Sequence, residues 1–377
     1  MRVAIDGLLL WGRYSGVERA IARLAAALPA VDPANEYLLY VPADCQAKGL
    51  EAAGLQVRRA PFPGRRKLTR IVWQQALFAG VLRRAGVEVL FAPGYVLPLR
   101  WSGPSLLYVY DVIALRHSEL AQRANVWHYR GVLPRSVRRA TRVAVPTRHV
   151  ADQVAECCQV SPGKLAVVPL GVEARFQPVT DAARLAAVRK RYRLPERFLL
   201  YVGNLEPKKN LPRLLEAFAR ARRSGLPHHL VLAGAPAWGQ TAVQAALARA
   251  GVAAAVHLPG YVADADLPAL YTLAELFVFP SLVEGFGLPP LEAMACGTPA
   301  LVADAPPFTE TVATAALRVN PEDPEAIAAG IWRGVTDADC RARLQRAGRE
   351  CAARYTWEGA ARQLAVLLKE IAAGAAG

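Results

Sequence analysis

Short apolar, β-branched runs bounded by turn residues recur through the first half of the chain: Val3 to Asp6, Tyr37 to Val41, Val87 to Phe91, Leu106 to Tyr110, Arg142 to Val145 and Ala166 to Pro169. Runs of this length without inside–outside alternation read as strands buried on both faces. Stretches with helical spacing of apolar residues lie between them, over Val17 to Leu28, Leu68 to Arg84 and Arg148 to Cys158. Such alternation predicts parallel βαβ units. The pattern restarts after Pro178, with strands expected at Phe198 to Val202, His229 to Ala233, Leu276 to Phe279 and Pro299 to Val302 and a helix over Leu211 to Arg222. The tail from Thr356 to Ile371 reads as one amphipathic helix opened by a Thr cap, with Trp357, Leu364, Leu367, Leu368 and Ile371 on its buried face.

The expected architecture is α/β: two doubly wound, Rossmann-like halves facing a central cleft, with domains at 1–176 and 177–355 and a terminal helix at 356–377 returning toward the first. The 377 residues suit two domains of ordinary size. In open parallel sheets, ligands gather outside the carboxyl ends of the strands at the topological switch point, which directs attention to the loops there.

Composition adds bounds. Hydrophobic residues make up 53% of the chain and charged residues 20%, which argues against disorder. No apolar run approaches the roughly 20 residues of a spanning helix, and Asp6 and Gly7 interrupt the N-terminal apolar stretch, so neither a membrane span nor a secretory leader is expected and a cytoplasmic location is. The six cysteines form no C-x-x-C pair and have no histidine at zinc-ligand spacing, which predicts reduced thiols and no metal or other cofactor. The net charge of +15 is uneven: residues 1–178 hold 24 Lys/Arg against 12 Asp/Glu, and the remainder 22 against 19. A basic first half favours anionic partners, including a membrane surface contacted peripherally, and Arg65, Arg66, Lys67 and Arg70 form a candidate lipid-facing cluster beside the alternative of a solvated loop. Without a zinc finger, helix-turn-helix signature or aromatic platform, nucleic acid is not an expected partner.

Two stretches carry candidate chemistry. In the first, Pro280 to Pro299, Gly285 and Gly287 permit close backbone approach, Pro289 and Pro290 suit a first helical turn, and the helix start supplies amides for a phosphate or sugar oxygen. Glu284 and Glu292 frame that corner; the plainer reading makes them complements of the helix dipole. In the second, Tyr201 to Leu211, Lys208 and Lys209 occupy a strand-to-helix turn, where paired cations suit a departing diphosphate as well as ordinary solvation.

Together the E-G-F-G-L-P-P-L-E-A-M-A-C-G-T-P segment from Glu284 and the G-N-L-E-P-K-K-N turn from Gly203 resemble the signatures of the family-four retaining glycosyltransferases of GT-B fold. The segment Pro169 to Glu173 resembles that family's interdomain P-N-G-V-D, Ala92-Pro93-Gly94 its acceptor-side loop, and Trp11 to Arg19 its glycine loop, within which Gly16 is the stronger candidate over Gly12. The resemblance implies a nucleotide-diphosphate sugar donor, with Glu292 on the ribose and Glu284 on the transferred sugar. Phe286, Gly287 and the neighbouring Gly285 and Leu288 would lie close to sugar and phosphate, and Lys209, aided by Lys208, Gly203 and Asn204, on the diphosphate. The departing phosphate would help deprotonate an acceptor on the same face, without a metal. Asn204 stands where many members have Arg, and Tyr110-Asp111 where many have His-Asp, so Tyr110 and Asp111, with Gly94, are acceptor-side candidates and Asp111 is also a capping residue in the plainer reading. The E-P-K-K-N turn is similar to that of bacterial mannosyltransferases, which makes GDP-mannose the first donor expectation and UDP-sugars the second. A glycan or lipid-linked acceptor of cell-envelope or exported polysaccharide completes the expectation. A nucleotide-sugar 2-epimerase, a glycosidase and a nucleic-acid-binding protein are the weaker alternatives.

Overall fold

The computed structural model describes residues 1–12 and 16–376, which fall into two compact units. One comprises Met1–Ser118, Arg123–Gly171 and Thr356–Gly377; the other comprises Glu119–Gln122 and Val172–Tyr355. The division lies within the Pro169 to Glu173 segment, several residues before the expected 176. Val172 donates its N–H to the Tyr355 carbonyl, and Glu173 binds Arg175, which itself reaches Asp264, so residues from 172 onward are tied into the second unit.

Among the described residues of the first unit, β1 (Arg2–Asp6), β2 (Glu36–Val41), β3 (Gln56–Arg59), β4 (Val89–Ala92), β5 (Ser105–Tyr108), β6 (Arg142–Val145) and β7 (Leu165–Val167) form one sheet in the order β3-β2-β1-β4-β5-β6-β7. In the second unit β8 (Phe198–Val202), β9 (His229–Ala233), β10 (Val256–Gly260), β11 (Leu276–Phe279), β12 (Ala300–Ala303) and β13 (Leu317–Val319) form another, ordered β10-β9-β8-β11-β12-β13. Every pairing is parallel. In both sheets the order reverses beside the first strand, so the switch points lie between β1 and β4 and between β8 and β11. The central strands are buried on both faces, as their unbroken apolar runs require.

The strands without a counterpart in the sequence reading are β3, β10 and β13, which lie at sheet edges. Their residues are Gln-Val-Arg-Arg, Val-His-Leu-Pro-Gly and Leu-Arg-Val. An edge strand has one solvated side and needs no continuous apolar run, so the signal that marks central strands is missing there. The single helix expected over Leu68 to Arg84 is instead two, Lys67–Ala76 and Phe78–Arg84, broken at Leu77. The break lets Trp73 and Phe78, which one continuous helix would turn to different sides, both enter the core with ring centroids 5.0 Å apart.

The last helix, Trp357–Ala376, packs on the helix Gly16–Val31 within the first unit. Thr356 accepts the Gly359 N–H at 3.0 Å as its cap, and Trp357, Leu364, Leu367, Leu368 and Ile371 are all buried. The cysteines are free thiols, all buried except the half-buried Cys157. Among the described residues no helix is long and apolar enough to cross a membrane.

Candidate functional site

The switch point of the second unit is built from two loops, one after β8 and one after β11. The β8 strand ends at Val202 and the chain turns through Gly203, whose oxygen lies so close to Gly234 that a side-chain carbon there would come within 1.9 Å of it. A short 3-10 turn, Pro207–Lys209, follows, and Asn210 takes left-handed dihedrals (φ 60°, ψ 29°) before the helix Leu211–Arg223. Asparagine tolerates that conformation better than most residues with a side chain. Its own side chain is 2% exposed and donates to the Pro280 carbonyl at 3.1 Å and the Pro321 carbonyl at 2.6 Å. The Lys208 carbonyl accepts from the Leu282 N–H at 2.8 Å. The two loops are thus joined by backbone and side chain before any charge is considered.

Across that junction Lys209 Nζ donates to Glu284 Oε1 at 2.5 Å, with the side chains only 12% and 11% exposed. The ammonium also lies 4.7 Å from the centroid of the Phe279 ring, within the range of a cation–π contact. Burial pushes the Glu284 carboxyl up, but Lys209 and then Lys208 more than offset this and hold it below the ordinary carboxylate range. Glu284 is therefore an ionised acceptor in a nearly dry corner. Lys208 Nζ stands 3.7 Å from Glu206 Oε2. The sequence assigned Lys209 and Glu284 to different parts of a ligand, and the fold pairs them with each other.

Gly285, Phe286, Gly287 and Leu288 lead into the helix Leu288–Ala295. Gly287 is its N-cap, at φ +90°, and a side-chain carbon there would approach Phe308 to 2.5 Å, so both dihedral and space call for glycine. Proline occupies the first turn, where its missing N–H costs nothing. Phe286 is 4% exposed and meets Tyr355 edge-on at 5.4 Å, which fixes the loop from behind. No acidic residue occupies the helix's first turn, so neither glutamate sits where dipole complementation acts most strongly. Glu292 is 5% exposed in the second turn and accepts the Tyr271 hydroxyl at 2.9 Å.

The first unit gathers a second polar cluster at the ends of β1, β4 and β5. Asp6 at the end of β1 accepts from Gln74 at 2.5 Å and from the Leu8 N–H at 3.2 Å. Burial raises its carboxyl to about 6, with Gln74, Leu8 and the Arg70 charge acting in the opposite direction. After β4, Gly94 is followed by Tyr95, a left-handed residue at φ 67° whose hydroxyl donates to Asp111 Oδ2 at 2.9 Å. Asp111 Oδ1 accepts the Ile113 N–H at 3.1 Å, so it caps the following turn and holds Tyr95 at once. Tyr110 is 5% exposed, its ring 4.6 Å from Tyr108 and 5.3 Å from Tyr95, and its buried hydroxyl has no hydrogen-bond partner among the described residues. Burial raises that hydroxyl's pKa.

The structure therefore brings Gly203, Lys208, Lys209, Glu284, Gly285, Phe286, Gly287 and Leu288 to one strand-end corner, with Glu292 one turn further along the helix. Asn204 is exposed beside it, its carbonyl accepting from Tyr201. In the glycine loop Arg13, Tyr14 and Ser15 lie outside the described residues; positive φ occurs at Gly12, whereas Gly16 opens its helix with open space around it. Of the basic cluster, Arg65, Arg66 and Lys67 are exposed and Arg70 is half-buried, where burial lowers its pKa against the opposing charges of Tyr129, Asp6 and Glu18. Asn210, Phe279, Tyr271 and Tyr95 were missed as positioning residues. Asn at a strand-to-helix turn was a readable signal for Asn210, whereas Phe279 and Tyr271 are indistinguishable from core in the sequence.

Two halves with one strand order, each with polar residues at its switch point, define the GT-B class. The family models agree. That described as Glycosyl transferases group 1 matches residues 187–351, and that described as Glycosyltransferase Family 4 matches residues 14–176. Between them they span most of the chain, which belongs to the family-four glycosyltransferases. It is 27% identical over 201 residues to the O-antigen chain mannosyltransferase B of Escherichia coli, covering 53% of each chain. It is 32% identical over 212 residues to a GDP-mannose-dependent α-(1-6)-phosphatidylinositol dimannoside mannosyltransferase of Mycobacterium tuberculosis, covering 54% of this chain and 52% of that one. The matches thus span about half the length of these curated relatives. The sucrose-phosphate synthase of Thermosynechococcus elongatus superposes with a TM-score of 0.80 over 99% of this chain and 100% of that one, at 21% identity.

Proposed function

We propose that the protein transfers a hexosyl group from a nucleotide-diphosphate sugar to a glycan or lipid-linked acceptor, with retention of anomeric configuration and without a metal. The observation that carries this reading is the Lys209–Glu284 pair at the β8/β11 switch point, beside the glycine-rich start of the helix Leu288–Ala295. A nucleotide-diphosphate leaving group gathers negative charge as the glycosidic bond breaks, and a preorganised ammonium in a nearly dry corner stabilises that charge more than one in water. Lys209 supplies it, with Lys208 adjacent. Glu284 remains ionised and accepts from sugar hydroxyls, and Glu292, set by Tyr271, accepts from the ribose. The helix-start amides add donors for the phosphate. A phosphate oxygen of the leaving group takes the acceptor's proton on the face it departs from, so configuration is retained.

GDP-mannose is the first donor, supported by the two mannosyltransferases above, one of which is named for that donor. UDP-sugars are the second candidates. The test is a thermal-shift panel of GDP-mannose, UDP-glucose, UDP-N-acetylglucosamine and free nucleotides, with and without chelator, since a ligand that binds only the folded state raises the melting temperature. A shift with GDP-mannose that survives chelator is expected. No shift with any nucleotide overturns the reading, and a chelator-sensitive shift overturns its metal-free form.

A further inference from the structure

At the amino ends of β5 and β6, the opposite edge of the first sheet from its switch point, the first unit has a groove of about 520 Å³, in the size range of small-molecule sites. Its walls are Ser102 just before β5, Arg139, Thr141 and Arg142 at the turn into β6, and Glu370 and Gly374 of the last helix. The two inner segments bring no acid to it, since no Asp or Glu occurs from residue 89 to 110 or from 120 to 151. Arg139 donates through Nε to the Trp101 carbonyl at 2.9 Å, and from the last turn of its helix it also complements that helix's dipole. Arg142 has no such duty. It opens β6 half-buried, and its Nε lies out of water with no hydrogen-bond partner among the described residues, none of which brings a carboxylate within ion-pair distance of it. A guanidinium drawn partly out of water without a counter-charge destabilises the wall that holds it, and an anion in the groove offsets that cost.

The walls also select the kind of anion. Two guanidiniums carried by different elements, a helix end and a strand start, suit the several oxygens of a phosphate. A bare phosphate fills little of the groove, and the remaining walls offer hydrogen bonds to a larger body. Thr141 Oγ1 accepts the Ser105 N–H at 3.0 Å, which leaves its own O–H to donate, and Ser102 adds a second hydroxyl. On the helix wall the exposed Glu370 accepts from hydroxyls and repels a second anionic group. We infer that this groove is a binding site for a small phosphate monoester with a hydroxyl-bearing body, such as a sugar phosphate, with Arg142 and Arg139 on the phosphate and Glu370 on the hydroxyls.

The site stands apart from the transferase reading: it shares no residue with the β8/β11 corner, so each can fail alone. The test is isothermal titration calorimetry of the wild-type protein with mannose 6-phosphate, inorganic phosphate and mannose at constant ionic strength. Binding of mannose 6-phosphate, about tenfold weaker binding of inorganic phosphate and none of mannose are expected. The Lys209→Ala/Glu284→Gln protein, which lacks the corner's phosphate grip, should bind mannose 6-phosphate as the wild type does. Arg142→Gln should weaken it about tenfold, and Glu370→Gln should weaken mannose 6-phosphate but not inorganic phosphate. Gly374 lies in the helix with open space where a side chain would go, so Gly374→Leu should fold normally and block the groove. The inference is overturned if the folded wild type binds neither phosphate compound, or if Gly374→Leu binds with undiminished affinity. Loss of binding in Lys209→Ala/Glu284→Gln would place the anion at the donor corner and overturn it as well. Equal affinities for inorganic phosphate and mannose 6-phosphate would overturn the monoester assignment.

Discussion

Each unit places a buried carboxylate at its switch point, and the two carboxylates are driven in opposite directions. Glu284 faces an ammonium at 2.5 Å, and that charge overcomes burial and keeps the group ionised. Asp6 receives the neutral Gln74 amide and a backbone N–H, the Arg70 charge acts on it more weakly than either and without a hydrogen bond, and burial prevails, raising it to about 6. Fold position and exposure are alike, so the partner's charge makes the difference: a hydrogen bond from a neutral donor does not offset the desolvation that a close cation does. The second unit's corner thus holds a fixed pair of opposite charges, whereas the first unit's Asp6 is held by neutral donors in a buried setting.

The sharpest way to break the comparison is to remove the cation. Lys209→Ala leaves Glu284 buried and unpaired, which is expected to cost about 3–5 kcal/mol by urea denaturation, together with nucleotide binding. In Lys209→Ala/Glu284→Gln most of that stability should return while binding does not, and a simple sum of the two single effects would show that the pair is not coupled.

Next comes pH. Because the folded carboxyl of Asp6 is raised from 3.8 to about 6, the folded state binds the proton more tightly. Its contribution therefore favours folding at the acid end, declines as pH rises from about 4 to 6, and leaves a cost on the order of 2–3 kcal/mol above that. Asp6→Asn, with the Gln74 amide turned to present its oxygen, should remove this slope. Glu284 gives the opposite sign: its stabilising contribution is complete above the ordinary carboxylate range and lost as pH falls through its lowered value, so Glu284→Gln should flatten the acid limb instead. Parallel slopes in the two variants would contradict the assignment.

Two smaller effects concern the framework of the charged corner. Asn210→Ala should cost about 2–3 kcal/mol, from two hydrogen bonds and a left-handed backbone, and Asn210→Gly about 1 kcal/mol less because glycine keeps the backbone. Gly287→Ala should cost about 1–3 kcal/mol from strain at positive φ and the approach to Phe308, and should weaken nucleotide binding by displacing the helix-start amides. Equal stability of Gly287→Ala and wild type would mean that the turn has a second conformation open to it.

Much of the site was readable because its chemistry is local in the chain. The glutamates, glycines and prolines of residues 284 to 292 lie within one strand–loop–helix unit, and the paired lysines within another. The central strands were legible because burial on both faces demands unbroken apolar runs, and the terminal helix because its buried positions repeat at helical spacing. The edge strands lacked that demand, and the break at Leu77 served a packing need between Trp73 and Phe78 that periodicity does not record.

The sequence by itself determined two doubly wound halves, the loops that carry chemistry and the excess of basic residues in the first half, because each depends on residues close together in the chain. Only the tertiary structure decided that Lys209 and Glu284, 75 positions apart, hold each other, that Tyr271 sets Glu292, that Arg70 is half-buried, and that Leu68, Val72 and Trp127 remain outside. Those outcomes depend on which neighbours packing supplies and how much water it removes, and the strength and sign of an electrostatic interaction follow from both.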